Sequence, residues 1–291
     1  MRQVKTGPII VASDRGSVSE AAYRAAALFS KKLEAKVRVV AVVEPLPVMV
    51  PKPSKLIEPL VASPALMDAV HTEVTSQIAA AAGADAGWPV WIEYGRPSKE
   101  IARVAKEQGA QLIVIGLTQH GVIDRILDGD TALEIVRHSD VPVLLASGSL
   151  TALPERAVFA VDFSEQSMDA ARAGIRLLAD GAVVHIAHVK PRATVFDGTG
   201  LWEEEYQSSA EKELVKFASS LDASGVTIET VVLDGSPART LMDFAESSGA
   251  QLIVAATRGA GLMERILVGS VATRLMRHTK TSMLIVPDAN D

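Results

Sequence analysis

Short apolar runs alternate with longer amphipathic stretches along this chain. In the second half, Ala157–Val161 is an apolar run suited to a strand buried on both faces. Between Ser164 and Asp180, Met168, Ala171, Ile175 and Leu178 fall on one helical stripe, with Ser164 as N-cap and Gly181 as C-cap. Val183–Val189 reads as a second strand, Trp202–Leu221 as a long helix and Val226–Leu233 as a third strand. A helix opens at Pro237, since proline suits the first helical position. Leu252–Ala255, Ser270–His278 and Met283–Val286 complete the half as strand, helix and strand. The first half keeps this order, with strands near Ile9–Ala12, Val37–Val43, Val90–Glu93, Leu112–Ile115 and Val143–Ala146. Such alternation predicts an α/β fold, each half an open, five-stranded parallel sheet with helices on both faces.

The two halves are copies. Gly109-Ala-Gln-Leu-Ile-Val114 recurs as Gly249-Ala-Gln-Leu-Ile-Val254, an offset of 140. Gly95 and Pro97 match Gly235 and Pro237 at that offset, as do Arg125-Ile-Leu127 and Arg265-Ile-Leu267, Gly129 and Gly269, and Arg137-His138 and Arg277-His278. Near the start of each half, the run ending in Asp14 matches the run ending in Asp162 at offset 148. The difference places an insertion in the first copy, assigned to the stretch Pro45–Pro64, which holds six prolines. It reads as a surface loop, with a flap or partner-binding arm as the alternative. With about 150 residues per domain as a guide, the 291 residues divide into domains 1–149 and 150–291, joined near Ser147-Gly-Ser149.

Composition narrows the chemistry. The chain has no Cys, which removes disulfides, Cys-ligated zinc, iron–sulfur clusters and thiol catalysis. Its net charge of −6 and scattered Lys and Arg lack the basic face of a nucleic-acid binder. No uninterrupted apolar stretch approaches the roughly 18 to 20 residues that span a membrane, and the N-terminus lacks a signal-peptide core. A cytoplasmic location is expected.

In open α/β sheets ligands sit beyond the carboxyl ends of the strands, where the strand order reverses. That rule selects Asp162 and the loop Ala256-Thr-Arg-Gly-Ala-Gly-Leu-Met-Glu-Arg-Ile-Leu-Val-Gly-Ser270. Gly269-Ser270 opens a helix whose free N–H groups and dipole suit an anion. The alternative is structural: Gly259 and Gly261 form a turn and Ser270 caps the helix.

These landmarks resemble the universal stress protein family, and two copies in one chain resemble its tandem members. The resemblance covers nearly the whole chain and implies Rossmann-like domains of the adenine nucleotide alpha hydrolase type. ATP-binding members of the family carry Gly, two residues, Gly, nine residues, then Gly-Ser or Gly-Thr. The second half offers Ala256, Gly259, Gly269 and Ser270, and the first offers Gly116, Gln119, Gly129 and Asp130. Resemblance implies that Asp162 and Val189 hold ribose and adenine, with Ala255, Arg258 and Val271 completing the second-half site. Asp14, Val43, Gly116 and Gly129 would form a weaker first-half cleft. Gln119 fills space where bare backbone meets phosphate, and Asp130 sets a carboxylate at the helix start. Like unit charges about 4 Å apart repel by about 1 kcal/mol in water and about 4 kcal/mol at an effective dielectric near 20. One ATP site is therefore expected, in the second half, with Mg2+ as its companion ion. Resemblance also implies that the last strands, Val141–Ala146 and Met283–Pro287, pair across a two-fold to make an intramolecular pseudo-dimer. Self-association into a homodimer is a further expectation.

Other chemistry finds little support. No P-loop and no Gly-x-Ser-x-Gly elbow is present, and Gly259-Ala-Gly261 meets Glu264 where a dinucleotide fingerprint needs its third Gly. His185 and His188 lie three apart on a strand and face opposite sides, which argues against a shared metal. His138 and His278 close helices, where a cation complements the dipole, and His120 sits in the first-half loop. Glu203-Glu-Glu205 reads as a solvated first turn, and Trp88 and Trp91 as packing residues. Three function classes remain: an ATP-binding regulator in stress response, a nucleotide-free scaffold, or a slow ATPase. Beyond Asp162, Arg258 and Arg265 no catalytic group is evident, so weak turnover is the most that is expected.

Overall fold

A computed structural model describes residues 6–16, 18–44, 63–117, 131–190, 201–257 and 268–288, with backbone alone for 201–203. The first half contains β1 (Ile9–Ser13), α1 (Val18–Lys32), β2 (Val37–Val43), α2 (Pro64–Ala82), β3 (Val90–Tyr94), α3 (Pro97–Glu107), β4 (Leu112–Leu117), α4 (Thr131–His138) and β5 (Val143–Ser147). The second repeats it as β6 (Arg156–Ala160), α5 (Glu165–Ile175), β7 (Val183–Lys190), α6 (Leu201–Ser219), β8 (Thr227–Asp234), α7 (Pro237–Ser247), β9 (Leu252–Ala256), α8 (Ser270–His278) and β10 (Ser282–Val286).

All strands join one sheet in the order β3-β2-β1-β4-β5-β10-β9-β6-β7-β8. Pairings within each half are parallel, and β5 and β10 pair antiparallel where the halves meet. Central strands are buried along their length, as β1, β5 and β10 show, so they read in sequence as unbroken apolar runs. One face is covered by α1, α2, α5 and α6, contributing Phe29, Val74, Ala171 and Leu214. The other is covered by α3, α4, α7 and α8, contributing Ile101, Ile135, Leu241 and Leu275. Both apolar layers run through residues of both halves.

The β5/β10 register is symmetric. Leu144 faces Leu284, flanked by Leu145 opposite Met283 and Val143 opposite Ile285. The repeat offset of 140 carries Leu144 onto Leu284, so a residue faces its own counterpart, as at a two-fold axis. Nearby, Lys32 Nζ lies 2.6 Å from Asp180 Oδ1, another counterpart pair at offset 148. This contact holds the Asp180 carboxyl below its usual range. Arg176 Nη2 donates to Gln111 Oε1 at 2.8 Å across the same junction.

Repeated residues do repeated work. Gly95 and Gly235 have φ of 149° and 141°, a backbone that favours glycine, and each leads into a helix opened by proline. The paired glutamines tie down the chain where it enters the first strand of each half. Gln111 Nε2 donates to Gly7 O at 2.6 Å, and Gln251 Oε1 accepts from the Glu155 and Arg156 amides at 2.9 Å each.

Two sequence expectations change. The helix expected over Ser164–Asp180 ends at Ile175, because Leu177 and Leu178 turn back with i→i+3 bonds to Gly174 O and Ile175 O. Leu178 is still buried, so apolar spacing continues past the helix end. Gly181 is not the C-cap; with φ 81° it sits in a later turn. Of the insertion Pro45–Pro64, residues 45–62 lie outside the described residues, and Pro64 instead begins α2, capped by Ser63, whose side chain accepts from Leu66 N.

Candidate nucleotide site

The strand order reverses between β6 and β9. The chain leaves β6 toward β7 on one side, while β9 lies on the other. Beyond their carboxyl ends opens a cleft of about 320 Å³, within the usual range for small-molecule sites. Val161, Ala187, Val189, Pro237 and Leu241 give it apolar walls, and Asp162, Ser167, His188, Thr257 and Ser270 supply polar groups.

The turn after β6 positions Asp162. Its Oδ1 accepts from Ser164 Oγ at 2.5 Å and Ser164 N at 3.2 Å. Ser164 is the N-cap of α5, its side chain accepting from Ser167 N. Phe163 between them has φ 66°, a left-handed conformation that costs a bulky residue roughly 1–2 kcal/mol. The first half builds the same turn: Arg15 has φ 62°, and Asp14 Oδ1 accepts from Gly16 N at 2.9 Å and from Ser19 Oγ. The left-handed residue falls at the same place in both copies, since Arg15 and Phe163 are counterparts at offset 148. The bracing differs. Gln77 Nε2 donates to Arg15 O at 2.8 Å and Tyr23 Oη to Ser13 Oγ at 2.6 Å. Burial pushes the Tyr23 hydroxyl above its usual range.

The other wall comes from β9 and α8. Ala256 pairs with Val286 inside the strand and does not have a positive φ, so its methyl brings no backbone strain. Thr257 donates to Val286 O at 2.9 Å, and Gly269 N donates to Thr257 O at 2.7 Å, joining the two ends of segment 258–268. Gly269 is the N-cap of α8 and gives it no side-chain cap. Ser270 is the first helical residue and is exposed, so it is not the cap. Among the described residues no side chain caps the first turn of α8, which opens at the cleft.

Of the expected second-half residues, Asp162, Val189, Ala255, Ala256, Gly269, Ser270 and Val271 line this one cleft. Arg258 and Gly259 lie outside the described residues, as do Gly129, Gln119, Asp130 and His120. The first-half counterparts differ in two ways. Ile9 pairs with Val37 and Ala157 with Val184, which makes Val42, not Val43, the equivalent of Val189. Val42 and Val189 pack on one apolar layer and Val43 on the opposite one, as a one-residue slip along a strand requires. Gly116 has a packing reason: a Cβ there would lie 1.9 Å from Val18 O at the start of α1.

His188, Ser167, Thr257, Pro237 and Leu241 also line the cleft and escaped the sequence reading. His188 had a signal in its place beside Val189 at the carboxyl end of β7. His185 faces the other way, with Nδ1 3.2 Å from Glu229 Oε2 and its ring edge-on to Phe244. Among the described residues no cluster of three or more His, Asp or Glu is placed to hold a metal ion, and no helix is long and apolar enough to cross a membrane.

Known proteins agree with this architecture. The model of the universal stress protein family matches twice, over residues 5–147 and 154–287. A universal stress protein of Methanocaldococcus jannaschii is 32% identical over 141 residues, 46% of this chain and 82% of the relative. One from Mycolicibacterium smegmatis is 23% identical over 290 residues, 96% of each chain. The crystal structure of a universal stress protein from Archaeoglobus fulgidus superposes with a TM-score of 0.68 at 19% identity, covering 99% of this chain and 98% of its own. With the domain present twice in one sheet, the chain belongs to the universal stress protein family as a tandem two-domain member.

Proposed function

We propose that the second-half cleft binds an adenine nucleotide, ATP with Mg2+, once per chain, and that its occupancy is a regulatory signal in stress response and not a metabolic turnover. The meeting of seven of the expected residues in one cleft supports this reading. The chemistry fits: the Asp162 carboxylate would accept from ribose hydroxyls, Val161 and Val189 would flank the base, and the first-turn amides of α8 would meet phosphate. In the first half, Gln119 and Asp130 argue against a triphosphate. In the same reading the protein is a cytoplasmic pseudo-dimer of domains 1–149 and 150–291, held by β5 and β10, and whole chains associate as homodimers.

Calorimetric titration with ATP and Mg2+ tests the site. One ATP per chain is expected, with a rise in melting temperature. Gly269→Glu should abolish both. The φ of −58° at Gly269 is open to any residue, so the new carboxylate acts on the cleft and leaves the backbone unstrained. Two sites per chain, no binding, or binding that survives Gly269→Glu would overturn the proposal.

A further inference from the structure

His188 is a buried polar side chain in the cleft wall whose two ring nitrogens both have partners. Nδ1 lies 2.8 Å from Val161 O, and Nε2 lies 2.9 Å from the Tyr206 hydroxyl on α6. A carbonyl oxygen only accepts, so Nδ1 carries the proton. In the neutral ring Nε2 is then an acceptor, and Tyr206 donates to it. The ring also lies beside two aromatic rings, with Phe163 at 4.5 Å and Tyr206 at 6.1 Å between centroids.

These contacts converge on the turn that carries Asp162. His188 fixes the carbonyl of the residue before Asp162 and packs against the left-handed residue after it. Strand register makes Ala41 its first-half equivalent. There, Gln77 and Tyr23 brace the corresponding turn from other positions. The two copies thus solve one problem, a strained turn holding an Asp, with unrelated side chains. In the second copy the brace is also part of the ligand cleft.

We infer that His188, held as its Nδ1–H tautomer by the Val161 carbonyl and steadied at Nε2 by Tyr206, is a positioning residue that sets Asp162 for the ligand. This rests on the nucleotide reading of the cleft. It gives α6 a stake in binding, because the hydroxyl that holds Nε2 comes from that helix.

The test joins a spectroscopic signature to affinity in the full-length protein. Imidazole nitrogen shifts should show His188 as the Nδ1–H tautomer in the ligand-free protein, and also in Tyr206→Phe, where Val161 O still requires the Nδ1 proton. Loss of one hydrogen bond is commonly worth several-fold in affinity. ATP affinity should fall about tenfold in His188→Leu and about threefold in Tyr206→Phe. His188→Asn, whose amide can reach Val161 O in place of Nδ1, should stay within about threefold of the wild type. Thermal melts identify a variant that has merely unfolded, and Tyr206→Phe, which removes one hydroxyl, keeps the question open to measurement in that case. Wild-type binding unchanged by both His188→Leu and Tyr206→Phe, or an Nε2–H tautomer in the wild type, overturns the positioning role alone. A wild type that fails to bind ATP overturns this inference together with the nucleotide reading.

Discussion

Replacing Gly116 with alanine should lower stability by about 3 kcal/mol, read as a fall in the urea midpoint at constant m-value. A Cβ at this position would lie 1.9 Å from Val18 O and 2.7 Å from Val18 C. Both are backbone atoms, so no rotamer change relieves the clash. The first turn of α1 must lift, and α1 carries Ala22, Tyr23, Ala25, Ala26 and Phe29, all fully buried. Overpacking typically costs 1–3 kcal/mol, and a backbone-to-backbone contact belongs at the upper end. The equivalent Ala256 already carries its methyl. There the close approach falls at Gly174, where a Cβ would lie 2.8 Å from Phe159 and from Val254, and the first-half counterpart of Gly174 is Ala26. The copies place their tight helix–sheet contact at different points. Ala256→Gly should therefore cost only about 0.5–1 kcal/mol, from chain entropy. A Gly116→Ala change below about 0.5 kcal/mol would contradict this account.

That contrast shows what sequence could and could not disclose. Strand positions were legible because parallel strands buried on both faces must be apolar throughout, as Ile9–Ser13 and Ser282–Val286 are almost entirely. The same uniformity hid register. Val39–Val43 reads Val-Val-Ala-Val-Val, with no alternation to tell which side chains share a face, and the counterpart of Val189 was placed one position late, at Val43. Asp162, Ala256, Gly269 and Ser270 were legible from the switch-point rule, and Val189, Ala255 and Val271 from the family resemblance. His188 was not, because a histidine among apolar strand residues does not announce its partners, and those come from Val161 and from Tyr206 on a distant helix. Gly116 was read for phosphate, and its close approach to the start of α1 was not visible in sequence. A glycine in sequence shows that a side chain is missing, without showing what takes its place.

The junction of the halves predicts a change in cooperativity. Wild-type urea unfolding should be a single transition, since both apolar layers contain residues from each half. Leu284 is 1% exposed and faces Leu144, which is fully buried, at the centre of the antiparallel pair. Leu284→Glu removes a buried leucine, a change worth about 2–5 kcal/mol by truncation alone. It also leaves a carboxyl without a partner in an apolar layer, whether ionised or neutralised by a raised pKa. The total, about 5 kcal/mol, is comparable to the whole stability of a small domain. The expected result is loss of the single transition, with the halves unfolding separately at lower denaturant. Leu144→Glu should behave alike, because the repeat offset makes the two leucines counterparts across the axis. Val215→Glu, at a position 56% exposed, should leave the transition intact. A Leu284→Glu protein that keeps one transition near the wild-type midpoint would mean that β5 and β10 do not unite the halves. A split transition would tie the stability of the ligand-side wall, β9 and α8, to a contact made with the other copy. The first half would then support the cleft of the second half structurally.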